Sequence, residues 1–155
     1  MRWLDVPHEF QHSPGWCLPA CIAMVSAFWE EPRTQEDIAR WLGTREIGTP
    51  ASRVTQLERR GFAVLYATGA LEQLRELVAQ GIPPILFVQT GDLVPHWQVN
   101  VPHAVVLAGF EGDSVALFDP GLETAPAVVL IVNLVLAWSH TDYSFTVLRP
   151  KNQAY

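Results

Sequence analysis

Three observations in the sequence predict an α+β fold. Helix-like patterns with cap and stop residues fill the first half, as far as Gly81. From position 84 onward the runs are β-rich. Two of those runs are joined by Glu111-Gly112-Asp113, a hairpin-like turn. Helices first and antiparallel strands afterwards is the α+β arrangement.

Taken in order, residues 3–14 are polar and irregular, punctuated by Pro7 and Pro14. Residues 17–29 are small and apolar and stop before Glu30-Glu31-Pro32, so they read as a buried helix. Pro19 falls in its first turn, where no backbone donor is lost. Thr34, with acidic Asp37 three positions on, opens a short helix that runs through Leu42 and stops at Gly43. Thr49 or Ser52 caps a further helix to Arg60, closed by Gly61. A strand follows at 62–67. Residues 71–80 form an amphipathic helix with Leu71, Leu74, Leu77 and Val78 on one side and Gly81 as its stop. Strands are expected at 84–89, 103–110, 114–118, 128–132 and 143–148, with a short helix at 134–138 between the last two.

The 155 residues fit one domain, 1–155, large enough to bury a real core. With 49% hydrophobic and only 17% charged residues, the chain is not a disordered one. A formal net charge of −6 and scattered basic residues argue against nucleic acid, which is bound by clustered Lys and Arg. The N-terminus has no apolar signal core. The most apolar stretch, 125–138, is broken by Pro126 and Asn133 and falls short of the roughly 20 residues of a membrane helix. A soluble cytoplasmic protein without membrane insertion is expected. Two cysteines, at 17 and 21, make no disulfide framework and read as reduced thiols.

Cys17 follows Gly15-Trp16, which breaks the chain, and stands where the apolar helix begins. A thiol attacks well as the thiolate, which a helix N-terminus and a nearby His both favour. Cys21, a turn deeper among Ala20, Ile22, Ala23 and Val25, reads as a small buried hydrophobe. By position alone Cys17 is open to either reading. His8, His12, His96 and His140 occupy polar, turn-rich segments and read as surface residues. His103 instead begins an apolar strand. Taken alone it suits a satisfied structural histidine, but the next strand ends at Asp119. The hairpin returns Asp119 toward the start of the first strand, at the same sheet end as His103, where a carboxylate can hold the imidazole in place. The bland alternative for Asp119-Pro120 is a turn starter. Cys17-x-x-x-Cys21 has no downstream ligand pair at zinc spacing, and no glycine-rich phosphate loop is present, so neither metal nor cofactor is expected.

Gln11, then Cys17-x-x-Ala20-Cys21-x-Ala23-Met24, Gly81-Ile82-Pro83, His103-x-Val105-Val106-x-x-Gly109 and Asp119-Pro120 resemble the bacteriocin-processing, or double-glycine leader, peptidases of the papain-like superfamily. The resemblance spans almost the whole chain in the family's order. It implies a papain-like α+β fold with a nucleophile-bearing central helix on an antiparallel sheet. It implies Cys17 as nucleophile, His103 as base, Asp119 orienting His103, and Gln11 donating its side-chain amide to the oxyanion. The implied partner is a peptide or amide substrate. Trp16 and Leu18 depart from the family, which usually has a polar residue before the Cys and Gly after it. The same site suits hydrolysis through a thioester acyl-enzyme or acyl transfer to an amine, as in a transpeptidase. A catalytically inactive papain-like binding module is the alternative from another class.

Overall fold

Alternation along one central strand organises the molecule. In β3 (Pro102–Glu111), Ala104, Val106 and Ala108 enter one hydrophobic core, while Val105 and Leu107 enter another. Successive side chains point to opposite faces, so a strand apolar at every position is buried on both sides. The computed structural model describes residues 2–153 and shows what covers each face.

β3 lies in a six-stranded, wholly antiparallel sheet with β1 (Phe62–Thr68), β2 (Ile85–Gln89), β4 (Ser114–Phe118), β5 (Ala127–Leu130) and β6 (Ser144–Pro150). The spatial order is β1-β6-β2-β3-β4-β5. One face packs on α1 (Cys17–Phe28), backed by α2 (Gln35–Leu42) and a 3-10 helix over Ala51–Arg60. The other packs on α3 (Leu71–Ala79) and α4 (Ile131–Ser139), through Leu74, Leu134, Ala137 and Trp138. The expected α+β class is the observed one.

From Leu18 to Ser26, α1 is buried without interruption, which explains a run that is apolar all round rather than on one stripe. Truncating a side chain such as Ile22 to Ala would cost about 2–5 kcal/mol, because the close-packed surroundings collapse only partly. The Thr34 hydroxyl accepts from the Asp37 N–H at 3.1 Å, and Gly43 ends α2 in the left-handed region, as expected.

Two segments differ from expectation. The residues up to Arg60 form a 3-10 rather than an α-helix. Their buried anchors, Val54 and Leu57, stand three apart, the spacing that eclipses in a 3-10 helix. Ile131 and Val132, expected to end a strand, open α4, which runs longer than the 134–138 helix the sequence suggests.

The N-terminal segment crosses this frame and reaches the site. Leu4 N–H donates to the Ala108 carbonyl at 2.8 Å, Val6 is buried, and Gln11 N–H donates to the Pro120 carbonyl at 2.9 Å. Gly109 makes the crossing possible, since a Cβ there would stand 2.8 Å from the Arg2 carbonyl oxygen.

Candidate active site

The site begins with α1, whose first residue is Cys17. No side chain caps this helix, and its first turn carries no acidic residue. The early N–H groups therefore remain available for an anion at this end of the helix. Gly15, with φ +78°, sets the approach, because a Cβ there would stand 2.3 Å from the Glu46 carbonyl oxygen. Cys17 is half-buried at the surface of a cleft, whereas Cys21 is fully buried. Burial pushes the Cys21 thiol well above its ordinary range, as a packing residue requires.

His103 stands at the start of β3, and the hairpin pairs Val106 with Phe118, so the chain leaves β4 beside it. Asp119 Oδ1 lies 2.6 Å from His103 Nε2 and also accepts from the Gly121 N–H at 2.8 Å. An ionised carboxylate only accepts, so Nε2 carries the proton and Nδ1 is left for the thiol. His103 is 8% and Asp119 2% exposed. Burial lowers the imidazole pKa, but the bonds to Asp119 and then to Cys17 outweigh it, raising it to about 9. Burial likewise pushes the Asp119 carboxyl up, and the bond from His103 wins in lowering it.

Trp97 completes this corner, and nothing in the sequence marked it. Its Nε1–H donates to Asp119 Oδ2 at 2.7 Å, and its ring lies against His103 with centroids 4.7 Å apart. A Cβ at position 121 would stand 2.6 Å from the indole, so Gly121 is what lets the ring seat. Both carboxylate oxygens are thereby engaged.

Gln11 is tied to the same corner by its backbone, while its side-chain amide donates to the Ser13 carbonyl at 3.2 Å. That carbonyl also accepts from the Trp16 N–H, in the turn that leads into Cys17. His12, His96 and His140 are exposed, as expected. His8 is not a free surface residue, since it is half-buried, 2.8 Å from the Leu122 carbonyl through Nε2, with its ring against Phe118.

Cys17 and His103 share a cleft of ≈ 560 Å³ whose walls include Leu18, Ile47, Tyr66 and Phe87. Apart from His103, none of its lining side chains is charged. A groove of ≈ 440 Å³ between Trp3, Arg75 and Phe110 shares no residue with it. Among the described residues, no three or more His, Cys, Asp or Glu side chains are grouped to hold a metal ion. No helix among them is long and apolar enough to cross a membrane.

The fold is matched in known proteins. The model of the Peptidase_C39-like family matches residues 3–143. No curated protein matches the sequence. Among solved structures, one described as a C39-like peptidase from Bacillus anthracis is 15% identical, with TM-score 0.75, covering 97% of this chain and 100% of that one. A double-glycine motif protease from an AMS/PCAT transporter, solved with a leader peptide, is 19% identical, with TM-score 0.74 and coverage of 96% and 94%. The peptidase domain of Streptococcus ComA, a bifunctional ABC transporter, is 18% identical, with TM-score 0.76 and coverage of 94% and 99%. At these identities the likeness is one of fold.

Proposed function

The chain belongs to the Peptidase_C39-like family, and from that premise we propose a cysteine peptidase or amide hydrolase working through a thioester acyl-enzyme. The observation that carries the proposal is the buried His103–Asp119 pair beside a half-exposed Cys17 at an uncapped helix start.

Cys17, as the thiolate, attacks the carbonyl carbon of a bound peptide or amide, and the C=O electrons move onto oxygen. Gln11 Nε2–H and the Cys17 backbone N–H donate to that oxyanion. As the tetrahedral species collapses, the C–N bond breaks and the His103 imidazolium gives its Nδ1 proton to the leaving amine. The neutral imidazole then takes a proton from water, whose oxygen attacks the thioester. Collapse releases the carboxylic acid and regenerates the thiolate beside the imidazolium. Asp119 holds the Nε2–H tautomer throughout and stabilises the imidazolium without accepting its proton.

Away from Cys17 and His103 the cleft walls carry no charged side chain, which supports a neutral or apolar peptide segment as substrate, and one structural neighbour was solved with a leader peptide. Leu18, one of the two departures from the family pattern, is 2% exposed and packs into the core with Cys21 and Ile22 while bordering the cleft. The two cores draw on residues from both halves of the chain, which supports reading 1–155 as one domain.

Iodoacetamide labelling with turnover of an activated ester tests the proposal. Cys17 should alkylate faster than a free thiol at neutral pH, and Cys17→Ala should abolish turnover. Labelling no faster than a free thiol, together with full activity in Cys17→Ala, would sink it.

A further inference from the structure

Gln35, the first residue of α2, is 0% exposed, although a polar amide at a helix start ordinarily faces water. Its side chain is spent on the segment that carries Gln11. Nε2 donates to the Phe10 carbonyl and to Glu9 Oε1, each at 3.0 Å. Oε1 accepts from the His12 N–H, also at 3.0 Å. The bonds to Phe10 and His12 grip the backbone immediately before and immediately after Gln11. The Gln11 N–H is itself fixed on the Pro120 carbonyl, and its side-chain amide, through one N–H, on the Ser13 carbonyl, which leaves the second N–H of that amide to aim.

Residues 2–16 belong to no strand, so no ladder of backbone bonds holds Gln11 in place. An oxyanion donor acts only when it is already aimed, and a misplacement of about 1 Å can cost on the order of 100-fold in rate. We propose that Gln35 is a positioning residue for the oxyanion donor: its buried amide, bonded on both sides of Gln11, holds the Gln11 side chain at the turn that delivers Cys17. The inference rests on the mechanism above and names what keeps its oxyanion side in register.

The test separates thiolate formation from oxyanion binding. Alkylation of Cys17 by iodoacetamide forms no oxyanion, whereas turnover of p-nitrophenyl acetate does. Gln35→Met keeps length and loses the bonds, and Gln35→Glu keeps shape and loses the donors. Both should lower kcat for the ester roughly 10- to 100-fold, with KM and the pH profile of alkylation unchanged. In a Gln11→Ala background, Gln35→Met should cost no more than about a further twofold, because the two residues act as one unit. Thermal melts establish that each variant is folded. The inference is overturned if alkylation and turnover fall in step, if the two substitutions multiply, or if turnover is unchanged. It is overturned also if neither Gln35 variant folds, since Gln35 is then a folding residue. An active Cys17→Ala enzyme would sink the mechanism itself. A dead Cys17→Ala beside an unaffected Gln35→Met would sink this inference alone.

Discussion

His103 and Asp119 sit at the ends of paired strands, almost wholly buried, with both carboxylate oxygens engaged by His103, Gly121 and Trp97. Cys17 and Gln11 are half-exposed; the helix start has no side-chain cap, and Gln11 lies in a segment outside any strand. The sheet side is thus held by main-chain ladders and fully paired polar atoms. On the helix side α1 is held by core packing, whereas the Gln11 segment is held by the Gln11–Pro120 bond and a few side-chain bonds, those of Gln35 foremost. Damage to the first should appear as altered charge and pH dependence, and damage to the second as lost rate at constant charge.

The largest effects come from deleting one group on each side. His103→Ala should reduce ester turnover by roughly 10⁴- to 10⁶-fold, since it removes the proton carrier and the partner of the thiolate. Gln11→Ala should cost on the order of 10²- to 10³-fold, the scale of one lost oxyanion donor. Single-turnover kinetics on both variants would check this. Equal losses, or a shift of the alkylation pH profile in Gln11→Ala, would break the division.

Next is pH. With the His103 pKa raised from 6.5 to about 9, the imidazolium persists across neutral pH, so kcat/KM should fall on the alkaline side with an apparent pKa near 9. The same shift is a stability statement. A raised folded-state pKa contributes stability that is fully present below 6.5 and is lost as pH climbs through about 9. Urea midpoints should therefore fall through that window in the native protein and stay flatter in His103→Gln. An alkaline limb near 6.5 would mean that the pair does not hold the proton.

A smaller effect tests how Trp97 and Asp119 are matched. Asp119→Asn has one oxygen where three donors converge, so its NH₂ must face either Trp97 Nε1–H or the His103 and Gly121 N–H groups. An unsatisfied buried donor costs about 1–3 kcal/mol. Trp97→Phe removes one competing donor, so Asp119→Asn should cost less in that background, by a coupling of similar size. A double-mutant cycle in urea measures it. Strict additivity would show that the indole N–H contributes nothing to the arrangement.

The sheet side was largely legible in the sequence. Strand 103–110, the Gly112 turn and Asp119 follow from local pattern, and a two-residue hairpin turn fixes which strand ends meet. The buried helix behind Cys17 was legible for the same reason, as a long apolar run. Trp97 was not, because it lies in the irregular stretch between β2 and β3, where no period says which way a side chain points. Gln35 was hidden differently. A glutamine after a capping threonine reads as a solvated helix start, and only the folded N-terminal segment supplies the three groups that bury it. His8 escaped likewise, its partner Leu122 lying 114 residues away.

The smallest effect probes whether the helix side tolerates loosening. Thr34 precedes Gln35, and its hydroxyl satisfies the Asp37 N–H. Thr34→Ala removes that cap at about 1 kcal/mol of stability. The helix itself should stay seated, because Ile38 and Leu42 anchor α2 in the core and the Ile38 N–H still bonds the Thr34 carbonyl at 3.1 Å. What the lost cap frees is the first turn, where Gln35 stands. The urea midpoint should fall slightly, and ester turnover should fall by no more than a few-fold as the first turn frays. The alkaline limb near pH 9 should not move, since no group that holds His103 is touched. A shifted limb would show that fraying at α2 reaches Asp119 through the Gln11–Pro120 bond, joining two sides that otherwise answer to separate forces.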